Sequence, residues 1–181
     1  GTYLDKIISW LSGAQLIINI PVSDSPREDR DFDLIKENFL RGLLKSADDR
    51  LARLLQPALR DQMSWSVSLR GLVTGLSTLA KRDDGSTYVV IQPWDPMHTF
   101  WGMGDEGVAW ACVRTRMTSS EIFEMYGKEV ESSDFENTGM DVYDFWDRRI
   151  NTVVTRDRVL KEETPHGATR VPVFIVPVGQ T

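Results

Sequence analysis

The sequence predicts an α+β fold, with a helical N-terminal half packed against a small antiparallel β unit of meander or barrel-like character. Three observations predict it. Up to about residue 85, apolar residues recur every three or four positions. From residue 86 the texture changes to short β-branched and aromatic runs punctuated by Gly, Pro and Asp. Hydrophobic residues make up 41% and charged residues 27% of the 181 positions, values of a folded chain able to bury a core. The expected organisation is therefore a helical segment over 1–85 with one short edge strand, then a β unit over 86–181 with one helix near 118–127.

The first helix is expected where Ile7, Ile8, Trp10 and Leu11 share a face, with Ser12-Gly13 as its stop. The run 15–22 reads as a strand, placed at an edge or strand end by Pro21, and 23–30 as a charged loop. Phe32, Ile35, Phe39, Leu40 and Leu43 predict a helix over about 31–45. Ser46, with Asp49 three residues on, predicts the cap of a second helix whose face is Leu51, Leu54, Leu55, Ala58 and Leu59. Pro57 should end or kink it.

A third helix is predicted from Trp65, Leu69, Leu72, Leu76 and Leu79, a heptad-like stripe running past Gly71 and Gly75 to Lys81-Arg82. Trp65→Ala or Leu72→Ala is accordingly expected to cost about 2–5 kcal/mol.

Strands are then expected over 87–92, 98–101 and 108–115, separated by the turn Pro93-Trp-Asp-Pro-Met97 and by Gly102-Met-Gly-Asp-Glu-Gly107. Thr118 or Ser119 should cap a helix that Gly127 stops. After an acidic stretch over 128–140, a four-strand meander is predicted over 142–146, 152–155, 159–163 and 171–176.

Charge is unevenly placed. Residues 1–85 carry twelve basic and twelve acidic side chains, and 86–181 carry nine and fifteen, so the net charge of −6 resides in the second part. With no basic stripe, tight binding of a phosphate backbone is not expected. A single cysteine, Cys112, excludes an internal disulfide and a cysteine-rich metal site, and its apolar neighbours make it a small core residue. The apolar start is too short to span a membrane and does not read as a secretory signal.

Candidate chemistry is sparse. Neither His98 nor His166 accompanies a Gly-x-Ser-x-Gly elbow. The chain has no phosphate-binding Gly-x-x-x-x-Gly-Lys motif. Residues 102–107 match the dinucleotide spacing Gly-x-Gly-x-x-Gly, but a strand follows and two acids lie inside, so no cofactor is assigned. Trp94, Trp101 and Trp146, beside Asp95, Asp144 and Asp147, suggest a sugar platform or a two-carboxylate glycosidase site as an alternative. The opposing reading is plain strand alternation, with Val142, Asp144 and Trp146 on one face and Tyr143 and Phe145 on the other. Arg148 and Arg149 read as exposed charges suited to pairing across a subunit contact.

The order of several segments resembles the wing region of tailed-bacteriophage portal proteins, the head-to-tail connectors. They are residues 71–79 leading into the strand at 87–92, Trp94-Asp-Pro-Met-His-Thr-Phe-Trp101, Val142-Tyr-Asp-Phe-Trp-Asp147, and His166-Gly-Ala-Thr-Arg-Val-Pro-Val173. The resemblance covers about residues 31–177. It implies a structural subunit that catalyses nothing and forms a closed homo-oligomeric ring, a dodecamer as is usual in that family, at the capsid vertex of the virion after synthesis in the host cytoplasm. The implied partners of the full-length protein are the major capsid protein, the terminase and the head–tail adaptor, with double-stranded DNA passing through the ring. It implies no cofactor, metal or membrane. Trp65, Leu69, Leu72, Leu76, Trp94, Trp101, Trp146, Arg148 and Arg149 become candidates for packing or subunit contact. Stem, clip and crown have no counterpart here, and the chain begins with Gly, so a piece of a longer protein is expected.

Overall fold

A computed structural model describes residues 3–14, 28–81, 84–130 and 139–178, with 28–32 described for their backbone alone. The strand expected over 15–22 and most of the loop expected over 23–30 lie outside these residues, as does the middle of the acidic stretch over 128–140. Among the described residues, four helices and eight strands in two antiparallel sheets make this an α+β fold. The chain divides into two compact units, Gly1–Gly71 with Leu79–Pro93, and Leu72–Thr78 with Trp94–Thr181.

In the first unit, α1 spans Tyr3–Gly13, as Ser12-Gly13 predicted. Arg60 Nη1 donates to the Ser12 carbonyl at 2.9 Å and so satisfies an orphan acceptor at the end of α1. Helix α2 runs unbroken over Glu28–Arg53. The two helices expected over 31–45 and from Ser46 are thus one. Ser46 is a weak mid-helix residue rather than a cap, and nothing before it removes a backbone donor or demands a left-handed turn. The start at Glu28 also takes in the end of the predicted loop.

Helix α2 ends with Leu55 in the left-handed region at φ 55°, and Gln56 N–H donates to the Leu51 carbonyl at 2.9 Å. Pro57 follows, so the predicted stop is correct. Asp48 Oδ1 reaches back to accept from Leu59 N at 2.7 Å, the first N–H of α3, Leu59–Arg70, whose own N-cap Ala58 supplies no side chain. Ala47, Leu51 and Leu59 form the core of this unit, flanked by Leu44, Met63 and Ile91.

The third helix is shorter than the stripe predicted. Gly71, left-handed at φ 63°, caps α3 by donating to the Val67 carbonyl, and β1 occupies Leu72–Lys81. Leu72, Leu76 and Leu79 therefore belong to a strand, and Gly75 pairs with Phe174 in a sheet instead of admitting a neighbouring helix. The β-branched Val73, Thr74 and Thr78 favour that outcome.

The strands β2 (Thr87–Trp94), β1 and β8 (Val173–Pro177) form a three-stranded sheet in the order β2-β1-β8. The five-stranded sheet is ordered β3-β4-β5-β6-β7, from Thr99–Gly104, Gly107–Met117, Met140–Asp147, Ile150–Thr155 and Val159–Pro165. The last strand of the predicted meander leaves it to pair with β1, Leu72 opposite Pro177 and Leu76 opposite Val173. In the second unit Leu76, Val171 and Val173 pack on Trp94, Ala111, Val113 and Trp146. A second cluster, Ile122, Val142, Val153 and Leu160, sits under α4, Ser119–Tyr126. Thr118 caps α4 in a reciprocal box with Glu121, and Gly127 ends it at φ 63°, as predicted.

Candidate functional surface

Strand alternation sorts the aromatic residues of the second unit by face. On the buried face, Ala111 pairs with Trp146, and Val113 with Asp144. On the other face, Phe100 pairs with Cys112, Cys112 with Phe145, and Arg114 with Tyr143. Trp110 joins this second row by stacking on Phe145, centroids 6.0 Å apart at 23°. Phe100 is 46% and Trp110 38% exposed, while Cys112, Tyr143 and Phe145 are half-buried. The result is an aromatic surface across three strands.

Gly102 makes room for it. A Cβ there would lie 2.3 Å from Trp110 Nε1, so the indole can lie flat over the neighbouring strand only because that position is glycine. Polar groups border the surface. The Arg114 guanidinium donates to His98 Nδ1 at 3.0 Å and stands 3.8 Å from the Asp141 carboxylate. Phe100, Trp110, Tyr143 and Phe145 were not singled out as a group from the sequence. Their signal was period-two spacing repeated on three strands, but joining them required the register.

The tryptophan and carboxylate candidates do not form one platform. Trp94 and Trp146 are only 5% and 7% exposed and lie in the core, whereas Trp101 stands half-exposed on the outer strand β3. Asp95 accepts from Met97 N at 2.9 Å and caps the 3-10 turn Pro96–His98. Asp147 accepts from Arg149 N at 2.7 Å and Ile150 N at 2.8 Å. Those two bonds, Ile150 first, hold its carboxyl below the ordinary range. Asp144 is half-buried, and its desolvation pushes its pKa up against the opposing pull of the Trp146 indole, the Asn151 amide and the Lys161 charge. Asn151 Nδ2 donates to Asp144, and Lys161 donates to Asn151 Oδ1, so charge reaches the carboxylate through an amide. Among the described residues the buried Trp146 Nε1 has no acceptor in hydrogen-bonding geometry.

The remaining titratable groups are similarly placed. His166 accepts from Ala168 N at Nδ1 and donates from Nε2 to the Asp147 carbonyl, and its ring tilts against Trp146. These bonds make the ring a brace for the β5–β6 turn. Cys112 is half-buried rather than fully buried. Burial, and then Asp144, push its thiol up to about 11, which suppresses the thiolate.

The contact candidates are dispersed. Trp65 is 41% exposed with the Arg70 guanidinium 5.5 Å from its ring, and Leu69 is also exposed, both in the first unit. Leu72 is half-buried and Leu76 buried on β1. Arg148 pairs with Glu106 at 3.0 Å, while Arg149 is exposed on the same turn. Among the described residues no group of three His, Cys, Asp or Glu is placed to hold a metal ion. No described helix is long and apolar enough to cross a membrane. Neither a protein-family model nor a curated protein sequence matches this chain.

Proposed function

We propose that this chain is the wing-like part of a portal subunit, a scaffold that works by assembling with copies of itself into a ring at a capsid vertex. The reading rests on the order of segments that resembles the portal wing, and one structural observation supports it. The second unit leaves a half-exposed aromatic surface, Phe100, Trp110, Tyr143 and Phe145, across an antiparallel sheet. Aromatic residues in such surfaces are the usual anchors of protein–protein contact. In the ring, the same patch on every copy meets a different patch on the next, a head-to-tail contact that closes by rotation. The ring would dock the packaging motor, pass DNA and receive the tail, with the capsid protein, terminase and adaptor as partners of the full-length product.

The carbohydrate reading is less well supported. Two of its three tryptophans are in the core, and Asp95 and Asp147 each hold a backbone turn. Electron microscopy of the full-length product separates the two readings. Closed rings are expected. A monodisperse monomer whose tryptophan fluorescence is quenched by glycans would replace the assembly reading with the carbohydrate one.

A further inference from the structure

The first unit contains an open groove of about 420 Å³, lined by Ser46, Arg50, Arg53 and Leu54 at the end of α2 and by Tyr88 and Val89 of β2. Ser46, Arg50 and Arg53 are four and three residues apart and so share one helix face. Among the described residues no acid lines the groove. The side chains of Arg41, Arg60, Arg114 and Arg148 each engage a carboxylate, carbonyl or imidazole, but neither the Arg50 nor the Arg53 guanidinium makes an ion pair or hydrogen bond among the described residues. Two like charges one turn apart repel, an effect that the negative end of the helix dipole only partly offsets. A bound oxyanion would remove that repulsion.

Arginine forks match the geometry of a phosphate and bind it bidentately. The volume falls in the range of small-molecule pockets, about 300–1,000 Å³, and leaves room beyond the oxyanion. Leu54, which is exposed, and half-buried Val89 and Tyr88 supply apolar wall beside the charges. We propose that this groove binds a small phosphate ester. Its oxyanion sits between Arg50 and Arg53 within reach of the Ser46 hydroxyl, and its organic body lies along Leu54, Val89 and Tyr88. The proposal is independent of the assembly reading.

The test is calorimetric titration of the whole chain with phenyl phosphate, inorganic phosphate and benzoate at fixed ionic strength. Phenyl phosphate is expected to bind saturably and more tightly than either of the others. R50Q and R53Q should each weaken it about ten- to a hundredfold, the loss typical of a charge-assisted hydrogen bond. Leu54→Ala should narrow the margin between phenyl phosphate and inorganic phosphate. Thermal melting checks that the variants fold, and Arg53, the more exposed arginine, is the safer substitution. Absence of saturable binding, unchanged affinity in R50Q/R53Q, or benzoate binding as tightly as phenyl phosphate overturns the proposal. So does a short single-stranded oligonucleotide that outbinds phenyl phosphate, which would assign the groove to nucleic acid.

Discussion

Asp144 shows how one residue can carry an electrostatic cost inside a β unit. It sits on the buried face between Val113 and Val153, and its compensation comes indirectly from Lys161 through Asn151. Burial raises its folded pKa above the ordinary value near 3.9 of an unfolded chain. The neutral form is therefore favoured by folding, and the stabilisation is complete below the unfolded pKa and lost as pH rises through the folded one. Relative to Asp144→Asn, which keeps an acceptor for Asn151 but never ionises, the wild-type protein should lose stability steadily as pH rises through the carboxylate range. Urea unfolding at a series of pH values and constant salt measures the difference, and a flat difference would remove the half-buried charge from the account. Leu55 carries a cost of another kind. It is left-handed at φ 55° and 95% exposed, so its side chain packs on little while its backbone is strained. Leu55→Gly removes a left-handed penalty of about 1–2 kcal/mol and adds back a glycine entropy cost of about 0.5–1 kcal/mol. A small net gain in stability is expected by denaturant titration, and a clear loss would show that the leucine packs.

At the scale of elements, the clearest test separates the real helical core from the one the stripe suggested. Leu51 is 1% exposed among Ala47, Leu59 and Met63, so Leu51→Ala should cost about 2–5 kcal/mol. Trp65, expected from the sequence to cost as much, is 41% exposed, and Trp65→Ala should cost clearly less than Leu51→Ala in the same denaturation experiment. The stripe misled for a definite reason. A spacing of four, as between Leu72 and Leu76, returns a side chain to the same side in a helix and in a strand alike. The deciding signals were the left-handed preference of Gly71 and the β-branched residues after it. Helix α4 was legible because its cap, its Glu at the third position and its terminal glycine lie within ten residues. The departure of β8 from the meander was not legible, because its partner β1 lies about a hundred residues earlier and nothing local encodes a pairing at that distance. The same holds for the aromatic surface: Tyr143 and Phe145 were sorted to one face by period alone, but Phe100 and Trp110 joined them only through cross-strand register.

For the whole molecule, the question is whether Arg148 serves this chain or a neighbouring copy. Within the chain it pairs with Glu106 across two turns at the same end of the sheet, and both side chains are well exposed. An exposed pair of this kind contributes about 0–1 kcal/mol, so Arg148→Glu should barely change the melting of the folded chain. The reversal should nevertheless weaken self-association of the full-length product if an acid on the next copy also faces Arg148, because like charges brought together at an interface oppose docking far more than one surface pair supports folding. The double reversal R148E/E106R separates the two roles. It restores the pair within the chain, so stability should return to the wild-type value. A contact with the next copy still sees the reversed charge at position 148, so sedimentation velocity should show assembly as weak as in R148E alone. Full recovery of assembly in the double variant would confine Arg148 to its own chain, and unimpaired assembly in R148E would remove this end of the sheet from the interface and leave the aromatic face of β3, β4 and β5 as the surface to mutate next.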